Sequence, residues 1–445
     1  MKKYNDLVRA TLEKIKQRQA DQAEVYLVAS KTLKIDVINQ QIESADEMAE
    51  TGMALRLIKD QRLGFSFTSD LDESVIEETI DLALASLPFS AQDEFLRLPA
   101  PQEKKSDLVL YDPKIAQAPV QKKIEIALSM ERAAYKDPRV KKTEKVSYTD
   151  SEHEIWIANS QGMEINYRSN YCGGYADVIA LEKEEMESGS GMDFVTTLEA
   201  LQPDKIGSEA SERATQLLGA RSIPSQNLPL VFDPLVGSQL LEILAQALSS
   251  EAVQKGRSLF AQRIGQLIAT ENLNVIDNGR LPAGIASSLY DAEGVPTQET
   301  KLIEKGKLLN FLFNSYTGAK SGVASTGNAI RPSYRTPPAV GHTNLYFSSG
   351  PTDPQAIISS LKRGLYITRI MGAHTANPIS GDFSFGAAGC LIENGEKTFP
   401  VRGITIAGNL IDLLKKIEAV GADLRFFADI GSPTMLIADL SISGA

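Results

Sequence analysis

A chain of 445 residues, 42% apolar and 23% charged, is long enough for two or three domains and ordinary for a globular protein. Its net charge is −11, and basic residues reach no further than pairs such as Lys104-Lys105 and Lys141-Lys142, which argues against a nucleic-acid partner. No run approaches the roughly 18 apolar residues of a membrane span, and the first residues hold no signal-peptide core, so a cytoplasmic location without membrane contact is expected.

The N-terminal part alternates helix and strand. Leu7, Val8, Leu12 and Ile15 recur at helical spacing. Val25–Val28 and Leu33–Ile38 read as two strands, and Met53–Ile58 and Leu63–Phe67 as a hairpin. A helix is expected from the cap at Ser69-Asp70 to Ser86. Five prolines between residues 87 and 121 mark a long surface excursion without helix (Pro88, Pro99, Pro101, Pro113, Pro119). A helix over Lys122–Tyr135, strands at 145–148, 154–158, 164–169 and 174–181, and a helix near 206–218 complete this half. Trp156, between Ile155 and Ile157, reads as a packing residue.

The boundary is placed at Ser222-Ile223-Pro224-Ser225, giving an N-terminal α+β domain of residues 1–222 and a mainly β, barrel-like C-terminal domain of residues 223–445 with a few helices. The second half opens with a strand at 230–232 and a helix over 235–250. Turn dipeptides follow at Asn278-Gly279, Lys305-Gly306 and Asn394-Gly395, the last a type I′ hairpin signal. Late helices are expected over 354–363 and 410–420.

The chemistry-bearing stretch is Ser250-Glu251-Ala252-Val253-Gln254-Lys255-Gly256. With histidine at positions 250 and 255 it would read His-Glu-x-x-x-His, a metallopeptidase signature. A zinc ligand needs an imidazole or thiolate lone pair. Serine is a poor substitute, and a lysine ammonium has no lone pair to give. Taken alone, Glu251 and Lys255 read as an i,i+4 ion pair on a solvated helix face. A serine–lysine nucleophile is disfavoured, because residues five apart lie about 140° apart around a helix. Histidines are sparse (His153, His342, His374), and a site joining His374 to Cys390 stays open. Cys172 and Cys390 otherwise read as two buried thiols of a reducing compartment.

Downstream, Tyr290–Thr297, the Leu302–Lys307 hairpin, Ser325–Ala329, Ser380–Ser384 with Gly386–Gly389, Ile392–Gly395, Pro400-Val401 and Ile404–Leu410 follow one another in an order that resembles the TldD/PmbA family, once described as modulators of DNA gyrase. In the TldD-like branch a His-Glu-Ala-Val-Gly-His-Gly segment and a late cysteine are understood to hold a metal. Here Ser250 and Lys255 stand at the two histidine positions, and Phe426–Thr434 contains no cysteine. The resemblance is therefore to the TldE/PmbA-like branch. It implies no catalytic residue and no metal or other cofactor in this chain, a TldD-like partner that supplies metal and hydrolysis, and extended, unfolded or leader peptides as substrates. The alternative is a stand-alone, metal-free peptide-binding or regulatory homodimer. Two segments are the substrate-groove candidates: Thr326-Gly327-Asn328 and Gly381-Asp382-Phe383-Ser384. Each also reads as a tight turn.

Overall fold

The computed structural model describes residues 2–102 and 107–444; the Lys104-Lys105 pair lies outside them. The N-terminal half is built on one antiparallel six-stranded sheet of β1 (Gln22–Ile38), β2 (Gln41–Lys59), β3 (Arg62–Thr68), β4 (Val140–Asn159), β5 (Glu164–Glu182) and β6 (Glu185–Val195). Its order is β3-β2-β1-β4-β5-β6. The strand pairs expected within 25–38, 145–158 and 164–181 are each one continuous strand. The polar residues between them (Ser30, Lys31 and Thr32 in β1) keep their places in the ladder, because β1 pairs along its length with β2 and along most of it with β4.

Period-two alternation decides which side is packed. Val25, Leu27, Leu33, Ile35 and Val37 lie on one face of β1. There the helices Lys2–Gln17 and Glu73–Ser86 cover one end, and Val120–Ala134 and Pro203–Thr215 the other. Trp156 is buried in the first of these cores, with its ring 4.9 Å from that of Tyr4. Glu24 and Tyr26 point to the opposite face and are also buried, because the C-terminal half packs there. Among the described residues of 87–119 the chain is irregular except for the turn Leu87–Phe89 and a short helix, Pro113–Gln117, capped by the Asp112 side chain. That helix corrects the helix-free expectation: Pro113 sits in the first turn, where a missing N–H costs nothing.

The C-terminal half contains a closed five-stranded barrel. Its strands are Gln226–Phe232, Arg363–Met371, Asp382–Glu393, Glu396–Asn409 and Met435–Ser443, and pairing of 405–407 with 441–443 closes it. A second six-stranded sheet includes Val275–Asn278, Glu299–Glu304, Leu345–Phe347 and Ile430–Ser432. The apolar helix Pro234–Ala247 lies between barrel and sheet, burying Val236, Leu240, Leu241 and Leu244 in their common core. Lys305-Gly306 and Asn394-Gly395 all have positive φ, as type I′ hairpins require. Both late helices are shorter than their apolar spacing suggests, Pro354–Ser359 and Leu410–Lys415. The residues that follow join sheets as Arg363–Met371 and Ile417–Val420.

Candidate functional site

The helix read as running into the degenerate motif stops at Ala247. Ser249 is extended and bridges to Leu312, and residues Ser250–Gln254 form a separate helical turn. Gly256, at φ 65°, ends that turn, and Ser258 then donates its hydroxyl to the Ala247 carbonyl at 2.6 Å. The break has a tertiary cause: the Ser250 amide bonds to the Leu312 carbonyl at 3.0 Å instead of continuing the helix.

Ser250 is 1% exposed and its hydroxyl donates to Thr317 Oγ1 at 2.9 Å. Thr317 belongs to a capping box with Asn314, taking an N–H from Asn314 and donating to Asn314 Oδ1 at 2.8 Å. Gln254 adds bonds to the Thr317 carbonyl and the Ser321 hydroxyl. Lys255 lies past the turn, half exposed, in an ion pair with Glu251. Ser250 faces the core and Lys255 faces water, so the two do not meet.

The residues do not fit the metal of the related metallopeptidases. One ligand position holds a hydroxyl committed as a donor, and the other holds an ammonium. Ala428 and Asp429 occupy the late loop instead of a cysteine, and Asp429 faces His342 Nε2 at 3.3 Å. Among the described residues no three His, Cys, Asp or Glu side chains are grouped to hold a metal ion. His374 and Cys390 do not combine. Cys390 pairs with Tyr366 near the middle of the strand Arg363–Met371, whereas His374 lies in the turn Ala373–Thr375 beyond that strand's end.

Both groove-candidate segments lie next to the motif turn. Thr326 Oγ1 bonds to the backbone of Phe313, next to the Leu312 that holds Ser250, and to Asn328 Oδ1 at 2.7 Å. On another side, the Leu259 amide bonds to the Pro378 carbonyl, and a Cβ on Gly381 would come within 3.0 Å of Leu259. The side chains themselves are less available than the segments. Asn328 is buried, donating to Asp277 Oδ2 at 2.7 Å and to the Gly341 carbonyl. Gly327, at φ 74°, lets the chain pass the Pro296 carbonyl, which a Cβ would meet at 2.5 Å. Phe383 is buried in the barrel, its ring 4.8 Å from that of Phe385. Of the seven candidates only Asp382 and Ser384 are exposed. Asp382 accepts from Asn409 and Ser380, which hold its pKa below the ordinary range.

Two buried polar clusters went unread in the sequence. Asp277 accepts from Asn328, the Thr343 amide and the Thr343 hydroxyl, yet its burial pushes its pKa up to about 6. Larger still is the junction between the two halves. Arg56 of β2 reaches Glu24 of β1 and Glu293 of the C-terminal half, each at 2.6 Å, and Arg331 also bonds Glu24. Burial alone would raise the Glu293 pKa; the Arg56 charge and hydrogen bonds from Arg56 and Ser315 hold it below the ordinary value. Asp291 takes three backbone N–H bonds, but burial and the Glu293 charge push its pKa up to about 7. A readable signal existed: Arg56 stands in the middle of the apolar run Met53–Ile58.

The C-terminal half thus combines a closed five-stranded barrel with a short helical turn, Ser250–Gln254, locked onto the Asn314–Thr317 capping box. Sequence comparison gives the family. The PmbA/TldA metallopeptidase domain 1 matches residues 23–87, the central domain residues 113–218 and the C-terminal domain residues 225–444. The chain belongs to the PmbA/TldD family. Metalloprotease PmbA of Escherichia coli O157:H7 is 29% identical over 438 residues, covering 96% of this chain and 93% of that protein. A PmbA homologue from Haemophilus influenzae is 28% identical over 439 residues, covering 95% and 92%. A crystal structure from Thermotoga maritima, of a candidate modulator of a DNA gyrase, superposes with a TM-score of 0.91 at 27% identity, over 99% of this chain and 100% of that one. TldE from Thermococcus kodakarensis shares the fold with a TM-score of 0.90 at 24% identity, over 99% of each chain.

Proposed function

We propose that this chain is the TldE/PmbA-like subunit of a cytoplasmic peptidase complex, in which a TldD-like partner holds the metal and hydrolyses extended, unfolded or leader peptides. The observation that carries the reading is the state of the motif turn. Ser250 is packed into the Asn314–Thr317 capping box and Lys255 is paired with Glu251, so the two positions serve folding. Glu251 without a metal-bound water has no acidified proton to remove. The scaffold is otherwise intact, and the chain's contribution is to shape and hold the peptide path. Extended peptides suit such a site because backbone pairing gives affinity with little demand on side chains.

The test is to mix the chain with a TldD-like protein from the same organism and follow size and cleavage of an unfolded peptide. The proposal predicts a stable hetero-oligomer that cleaves. Two proteins that elute apart and show no gain on mixing would contradict it.

A further inference from the structure

The edges of the N-terminal sheet are treated differently from one another. On β3, the Leu63 and Phe65 amides are bonded by the hydroxyls of Ser90 and Ser86, so the segment after the helix Glu73–Ser86 closes that edge. On β6, Arg369 and Arg425 of the C-terminal half donate to the carbonyls of Ser188 and Met192. The first part of β2 has no such cover. β3 pairs with β2 only from Met53 to Lys59, whereas β1 pairs with β2 back to Gln41. Residues 41–52 are therefore bound along one side only, and among the described residues no strand or side chain bonds their outer backbone groups. At about 3.3 Å per residue the open edge is roughly 40 Å long.

Natural sheets keep free edges short, bulged, proline-marked or covered, because unpaired N–H and C=O groups recruit other strands. This edge holds no proline, and its bulge at Glu43, opposite Asp36 and Val37, lies near the hairpin turn, so residues 44–52 run as a regular ladder. Its sequence, Gln41-Ile42-Glu43-Ser44-Ala45-Asp46-Glu47-Met48-Ala49-Glu50-Thr51-Gly52, contains four carboxylates and no basic residue. Glu47 and Glu50 make exposed pairs with Lys31 and Arg335, each at 3.0 Å, while Glu43 and Asp46 have no ion-pair partner among the described residues. Ile42 and Met48 are exposed apolar side chains on the same stretch.

We infer that the outer edge of β2, residues 41–52, is a docking strand for an extended peptide substrate carrying lysine or arginine among short or β-branched residues. The peptide adds as a further strand. Its backbone pairs with the open N–H and C=O groups, and its cations lie beside Glu43 and Asp46. A second copy of this chain is the poorer occupant, since two such edges would oppose carboxylate to carboxylate. The inference rests on the reading of the chain as a handler of extended peptides, but it is tested without the partner subunit.

The probe is a fluorescein-labelled twelve-residue peptide alternating lysine with threonine and valine, read by anisotropy against the full chain. Its controls are a glutamate counterpart and a version N-methylated at alternate amides. Saturable binding of the lysine peptide, loss on N-methylation, and slowed amide hydrogen exchange confined to residues 41–52 and their β1 partners are the expected results. Glu43→Lys with Asp46→Lys, at exposed positions without ion-pair partners, should weaken the lysine peptide by about tenfold and reverse the preference. Binding that survives N-methylation, protection elsewhere, or protection of 41–52 only through self-association would overturn the inference. If the mixture with a TldD-like protein fails to cleave while this peptide protects 41–52, the subunit assignment falls and the docking strand stands. Cleavage with no such protection gives the converse.

Discussion

Ser250 and Thr317 are joined by a hydrogen bond of 2.9 Å that ties the degenerate motif to the capping box of the helix Ser315–Ser321. The position that would present an imidazole to a metal is instead a buried donor. Ser250→Ala removes that donor and leaves Thr317 Oγ1 with fewer partners, so it should cost about 1 kcal/mol in chemical denaturation. The double substitution Ser250→His with Lys255→His should give no metal-dependent cleavage, since no cysteine stands in residues 426–434. Metal-dependent hydrolysis by that variant would refute the ligand argument.

Arg56 holds the two halves together through Glu24 and Glu293. Arg56→Met would leave two carboxylates buried without that cation, and the expected destabilisation is about 3–5 kcal/mol. Urea unfolding checks it. A change below about 1 kcal/mol would mean that Arg331 alone satisfies the junction.

Gly327 is needed for its backbone angle and for its lack of a side chain. Gly327→Ala meets both the left-handed φ and the Pro296 carbonyl, and should lower stability by about 2 kcal/mol or more. Gly219, also left-handed but with open space around it, is the control. Gly219→Ala should cost less in the same thermal melt.

Asp277 gives a pH signature. Its folded pKa, about 6, lies above the ordinary carboxylate value, so the folded chain binds the proton more tightly than the unfolded one. Its contribution to stability is complete below about pH 4 and is lost as pH rises towards 6. Asp277→Asn should therefore flatten the stability profile between pH 4 and pH 6, compared with the parent chain. An unchanged slope would show that Asp277 titrates normally.

Much of the architecture was legible, because alternation of apolar residues is local information. Leu33-Ile35-Val37 names the buried face of β1, and Asn394-Gly395 names the turn between the barrel strands Asp382–Glu393 and Glu396–Asn409. Strand lengths were not legible. The residues that interrupt the apolar pattern, such as Thr32 and Ser151, are kept in the ladder by cross-strand partners far away in sequence, and these two share a hydrogen bond of 2.8 Å. The motif was visible as a string, but its break after Ala247 depends on Leu312, some sixty residues on. Asn328 and Phe383 read as groove residues because turn chemistry and apolar character do not reveal which side the core occupies. The junction is non-local in the same way: Glu24, Arg56, Glu293 and Arg331 meet only once both halves have folded.

The most direct test of the central claim is the metal content and peptidase activity of the purified chain, alone and mixed with its TldD-like counterpart, on an unfolded peptide. The purified chain should hold well below one equivalent of metal and cleave nothing alone, and the mixture should cleave. About one equivalent of bound metal together with cleavage by the chain alone would contradict that claim.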